Sequence, residues 1–101
     1  MSIWSALSND GNDLTINIEG CFDYSKHLEF LDAYKQIKGV PERYTINMKE
    51  TISLDNSALG VLLMLRDHAG NHSDNIRIIN CNESVKDIFS TCNFEQLFAI
   101  E

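Results

Sequence analysis

Segments of strand periodicity alternate along this chain with segments of helical periodicity, and that alternation restricts the fold more than any other feature. Leu14, Ile16 and Ile18 alternate with Thr15, Asn17 and Glu19, the period of a strand with one buried face. Tyr44, Ile46 and Met48 do the same against Thr45, Asn47 and Lys49, and residues 75–80 form a short β-branched run. Helical spacing fills the gaps. Asp23 or Ser25 caps a first helix running to about Lys38, with Tyr24, Leu28, Leu31 and Tyr34 as its apolar stripe, widened by Phe30 and Ile37. Gly39 and Pro41 stop it. A second helix runs from about Ser57 to Ala69 and is closed by Gly70, while the connector before it, residues 50–54, carries no assigned element. Asn82 or Ser84 begins a third, on which Val85, Ile88, Phe89 and Cys92 share a face, and residues 94–100 supply a short final strand.

At the N-terminus, residues 2–20 read as an antiparallel hairpin that turns at Asp10-Gly11 and ends at Gly20. Strands separated by helices of about 10 to 15 residues close through right-handed crossovers into a partly parallel sheet. The expected fold class is therefore α/β: one domain over residues 1–101, with a mixed, mostly parallel sheet of four or five strands, the N-terminal hairpin and about three helices.

Charge narrows the partners. A net charge of -7, from 15 Asp and Glu against 8 Lys and Arg, repels nucleic acid and anionic membrane surfaces, which leaves a protein or a basic ligand. No apolar run reaches the ~18 residues of a membrane span, and the first residues lack the form of a secretion signal, so a cytoplasmic location is expected. Cys21, Cys81 and Cys92 are odd in number and widely spaced, reading as small buried residues of a reducing compartment rather than disulfides or zinc ligands. His68 and His72 have a metal-like spacing, but Gly70 interrupts it and no third ligand follows, so neither metal nor cofactor is expected. Trp4 and Phe98 read as core or edge-packing residues.

Chemistry concentrates where the strand at 44–48 gives way to the second helix. Functional groups in open α/β sheets gather beyond the carboxyl ends of strands, beside the free N–H groups of the next helix, and Ser57 stands in that first turn. Read as plain structure, Asp55, Asn56 or Ser57 is a helix cap, with a contribution of about 1 kcal/mol. Ala58, Val61, Leu62 and Leu65 face inward, yet Leu59, Leu63 and Met64 leave little polar surface opposite. Such a helix is either buried on both sides or offers an apolar patch to a partner. No Gly-x-Ser-x-Gly elbow or histidine base accompanies Ser57, which argues against a serine hydrolase. No phosphate-cradling glycine loop is present, so any ATP must be bound by a partner.

The segment Asp55-Asn56-Ser57-Ala58-Leu59-Gly60 resembles the Asp-Ser-Ser-Gly-Leu-Gly signature of STAS domains, the fold of bacterial anti-sigma factor antagonists. Gly20-Cys21-Phe22-Asp23 is similar to the Gly-x-Leu-Asp segment of such proteins, and residues 85–89 and 94–100 resemble their closing helix and strand. The resemblance implies a non-enzymatic, phosphorylation-switched binding protein. Ser57 is then the phosphate acceptor of a serine kinase that is itself often the anti-sigma factor, and a PP2C-type phosphatase restores the free hydroxyl. Asp23, Asp55, Asn56, Leu59, Gly60, Leu63 and Met64 are the implied partner-binding residues. Three positions depart from the pattern: Asn56 replaces the first serine, Ala58 the glycine, and Asn47 an aspartate of the preceding strand. The alternative within the same family is a structural subunit of a bacterial lipid-transport ABC complex.

Overall fold

The N-terminal hairpin forms as its alternation requires: β1 (Ile3–Leu7) and β2 (Asp13–Ile18) pair antiparallel, with Gly11 at φ +76° in the turn. A computed structural model of the chain describes residues 2–37, 39, 41–70 and 75–101. After the hairpin come β3 (Gly20–Phe22), a 3-10 turn (Tyr24–Lys26), α1 (His27–Lys35), β4 (Arg43–Asn47), β5 (Thr51–Leu54) and α2 (Asn56–His68). The chain continues through β6 (Ile76–Ile79), α3 (Glu83–Thr91), a second 3-10 turn (Phe94–Gln96) and β7 (Ala99–Ile100). The main sheet has the order β1-β2-β4-β6-β7, with every pair after the hairpin parallel. This is the expected mixed, mostly parallel α/β architecture with three helices.

Alternation also decides which face of the sheet is covered. Leu14, Ile16, Ile18, Tyr44, Ile46, Ile76 and Ile78 are buried and join Phe30, Leu62, Leu65 and Phe89 of the helices in one core. Their neighbours Thr15, Asn17, Thr45 and Asn47 point to the opposite face and stay partly exposed. On that face Asn47 Nδ2 donates to Asn17 Oδ1 at 3.0 Å, so lateral amide bonds stand where a second helical layer would need apolar residues.

Several expectations are corrected. Gly20 does not end the strand region. At φ +84° it redirects the chain into β3, which leaves the main sheet and pairs parallel with β5 across a register shift. The connector at residues 50–54 is therefore largely a strand. Its pattern is inverted: Thr51 is buried, donating its hydroxyl to the Ile18 carbonyl at 2.8 Å, while Ile52 is exposed. The first helix ends at Lys35, and Lys38 lies outside the described residues, as does His72. Its buried face is Phe30 and Tyr34, whereas Tyr24 and Leu28 are 56% and 62% exposed, because Tyr24 sits in a 3-10 turn whose tighter winding breaks the expected phase. Residues 94–100 are not one strand, since Asn93 adopts φ +59° and a 3-10 turn precedes the short β7. The cysteines are not a buried set: Cys21 and Cys92 are exposed and Cys81 is half-buried. Phe98 is buried as expected, and Trp4 lies on the edge strand at 42% exposure.

Candidate functional site

Parallel pairing of β3 with β5 assembles the site. Phe22 and Leu54 are register partners, and the Asp55 N–H donates to the Phe22 carbonyl at 2.9 Å, so Asp23 and Asp55 leave the ends of two adjacent strands together. Each aspartate then starts a helical element. Asp23 accepts the N–H of Ser25 at 2.9 Å and also its hydroxyl. The Ser25 hydroxyl bond, with the Ser25 N–H and the nearby Lys26 charge, holds this carboxyl below its usual range. Asp55 accepts the N–H of Ser57 at 3.0 Å and is the N-cap of α2.

Ser57 joins the two loops. Its Oγ accepts the backbone N–H of Tyr24 at 3.0 Å, and the residue is exposed in the first turn of α2. One lone pair of the oxygen is thus used, which leaves the hydroxyl a proton to donate and a second lone pair to accept with. The imidazole of His27 is engaged with Tyr24: His27 Nδ1 lies 2.8 Å from the Tyr24 carbonyl, and its ring stacks on Tyr24 with centroids 4.2 Å apart. Among the described residues no base bonds the hydroxyl, and no cluster of His, Cys, Asp and Glu has the form of a metal site. The geometry suits a hydroxyl that receives a group from another molecule's active site.

Exposed apolar side chains lie farther along the same helix. On α2, Gly60 is exposed, and a Cβ added there would meet nothing within 4 Å. Leu63 and Met64 are 40% and 49% exposed, as the sequence predicts. Leu59 is not part of this surface. At 8% exposure it packs in the core, because the buried arc of α2 is widened by neighbouring helices to include Ala58, Leu59, Val61, Leu62 and Leu65. Ser57 and Met64, two turns apart, lie on the side of α2 that faces α1, where Met64 and Leu31 line a shared cleft of about 220 Å³. Asn56 lies on the other side, in a cleft of about 230 Å³ shared with Asp87, Ile88, Thr91 and Cys92 of the α3 segment. Tyr24 and Leu28, which sequence periodicity assigns to the core, are exposed apolar side chains, and the Tyr24 backbone bonds Ser57. Only the 3-10 phase shift could have signalled them.

Comparison with known proteins identifies the family of this fold. The family model STAS_2, described as "Mlab, STAS domain", matches residues 5–99. A STAS-domain containing protein of Pseudomonas aeruginosa (strain UCBPP-PA14) is 46% identical over 100 residues, covering 99% of both chains. The STAS domain of an anti-sigma factor antagonist from Rhodobacter sphaeroides is 26% identical, with a TM-score of 0.59 over 81% of this chain and 88% of that one. The anti-sigma factor antagonist SpoIIAA in its unphosphorylated form is 10% identical and shares the fold, with a TM-score of 0.68 over 98% of this chain and 86% of that one. The chain belongs to the STAS domain family, whose solved members include anti-sigma factor antagonists.

Proposed function

We propose that this protein is a cytoplasmic binding regulator without catalytic activity, switched by phosphorylation of Ser57. Unphosphorylated, it binds a serine kinase of the anti-sigma factor type; phosphorylated, it releases that partner, and a PP2C-type phosphatase returns it to the binding form. The observation that carries this reading is the exposed Ser57 hydroxyl, which accepts the Tyr24 backbone N–H at the start of α2, a helix that also exposes Met64. Similarity to anti-sigma factor antagonists supports it.

Energetics make the switch effective. A phosphoryl group adds about -1.5 to -2 charges at neutral pH, which a helix N-terminus accommodates with a gain of roughly 0.3 to 1 kcal/mol. The domain stays folded. A partner covering Ser57 must instead bury that charge, with Asp23 and Asp55 adding repulsion, at a cost on the order of 2 to 5 kcal/mol. Binding weakens roughly 30-fold to several thousandfold. Calorimetric titration of the partner kinase into Ser57→Ala and Ser57→Asp tests this: Ala retains affinity and Asp loses it. Equal affinities would refute the switch.

The family description "Mlab" favours one second reading, a standing subunit of a lipid-transport ABC complex. That reading expects co-purification with a transporter ATPase, unchanged by Ser57→Asp.

A further inference from the structure

On a surface that shares no residue with the Ser57 site, we infer that the groove between β1 and α1 docks an extended, basic segment of a partner protein by strand addition. β1 is an edge of the main sheet. The Glu19 N–H donates to the Ser2 carbonyl at 2.7 Å and the Ser8 N–H to the Asp13 carbonyl at 2.8 Å, which fixes the even-numbered residues as the ones bonded to β2. The odd-numbered residues Ile3, Ser5 and Leu7 therefore turn their N–H and C=O groups outward. Glu29 of α1 takes the first of these, accepting the Ile3 N–H at 2.8 Å along with the Ser2 N–H at 2.9 Å. Among the described residues no partner takes the groups of Ser5 and Leu7, which leaves them to a partner strand.

Proteins normally blunt such an edge with charge, proline, a bulge or brevity. The opposite edge, β7, has two residues; β1 has five, Ile-Trp-Ser-Ala-Leu, with no charge and no proline. Beside it runs a groove of about 360 Å³ whose α1 wall carries Glu29, Asp32, Ala33 and Gln36. An open strand edge flanked by a helix is the geometry that captures extended peptides.

Charge selects the occupant. Both ionisable residues lining the groove are acidic. A second copy would bring an uncharged strand and another Asp32 toward this wall, on a chain of net charge -7. A segment with lysine or arginine at alternate positions places its cations toward Asp32 and its intervening apolar residues on the other face, beside Trp4.

Trp4 is the single tryptophan of the chain, so its emission reads this strand directly. A capped peptide of alternating lysine and valine is titrated into the full-length protein, beside a glutamate-valine peptide and a lysine-proline peptide that cannot pair as a strand. A saturable shift of Trp4 emission with lysine-valine alone is expected, weakened about tenfold or more by Asp32→Lys. Ser5→Pro abolishes the shift yet preserves the fold, because the lost N–H is not used within the sheet; should that variant not fold, Asp32→Lys carries the test. Equal binding of lysine-proline, indifference to Asp32→Lys, absence of a saturable shift, or a peptide-independent shift that grows with protein concentration would each overturn the proposal.

Discussion

Ser57 ties the loop after β3 to the start of α2 through the hydrogen bond it accepts from the Tyr24 N–H. Asp55 is structural, because it caps α2. Asp55→Ala should lower stability by about 1 kcal/mol, measured as a drop in the urea midpoint at unchanged slope. Tyr24 and Leu28 are exposed, and under the proposed function they would meet the partner. Tyr24→Ser or Leu28→Ser should leave Tm nearly unchanged while weakening the partner complex about tenfold, as truncation of an exposed apolar anchor does, and calorimetry of both quantities checks it. The sequence already separates Ser57, Asp55, Leu63 and Met64 from the core. It misassigns Leu59 because that residue lies at the margin of a buried arc, which only neighbouring helices widen.

α2 buries one side in the core and exposes the other, where Gly60 stands. A helical glycine costs roughly 0.5 to 1 kcal/mol relative to alanine, and here the added methyl has open space. Gly60→Ala should therefore raise Tm by several degrees, seen by thermal circular dichroism. If a partner backbone approaches α2 closely at this point, the same variant binds it more weakly. β5 is the element least legible in sequence. Its buried Thr51 and exposed Ile52 reverse the usual order, and the reversal holds because the Thr51 hydroxyl satisfies the Ile18 carbonyl inside the fold. Asn82 adds to this, capping α3 with its oxygen while its Nδ2 donates to the Thr51 carbonyl at 3.1 Å. Such long-range polar pairings leave no periodic trace.

For the molecule as a whole, acid is the condition to which stability should be most sensitive. Asp13 is held below the usual carboxylate range by its hydrogen bonds from Arg43, Asp10 by the Ser8 hydroxyl, and Asp23 by Ser25. Glu29 is lowered too: desolvation pushes it up, but the Ile3 and Ser2 donors outweigh that. Each depressed carboxyl contributes stability that is complete above its ordinary value and lost as pH falls through the lower folded value. Stability should hold from neutral pH down to about 5 and then fall steeply below about 4. Glu29→Gln should make that fall shallower, as urea titrations at stepped pH would show. The alternating strands that made the sheet readable in sequence also left one sheet face polar, which accounts for α1, α2 and α3 packing their buried residues into the core on the other side. Because the Tyr24 amide donates to the oxygen that would carry a phosphoryl group, its NMR resonance should act as a sentinel, moving abruptly on modification while the signals of distant β7 stay still. An isotope label introduced through tyrosine would then let an observer time the switch in a living sample without an antibody.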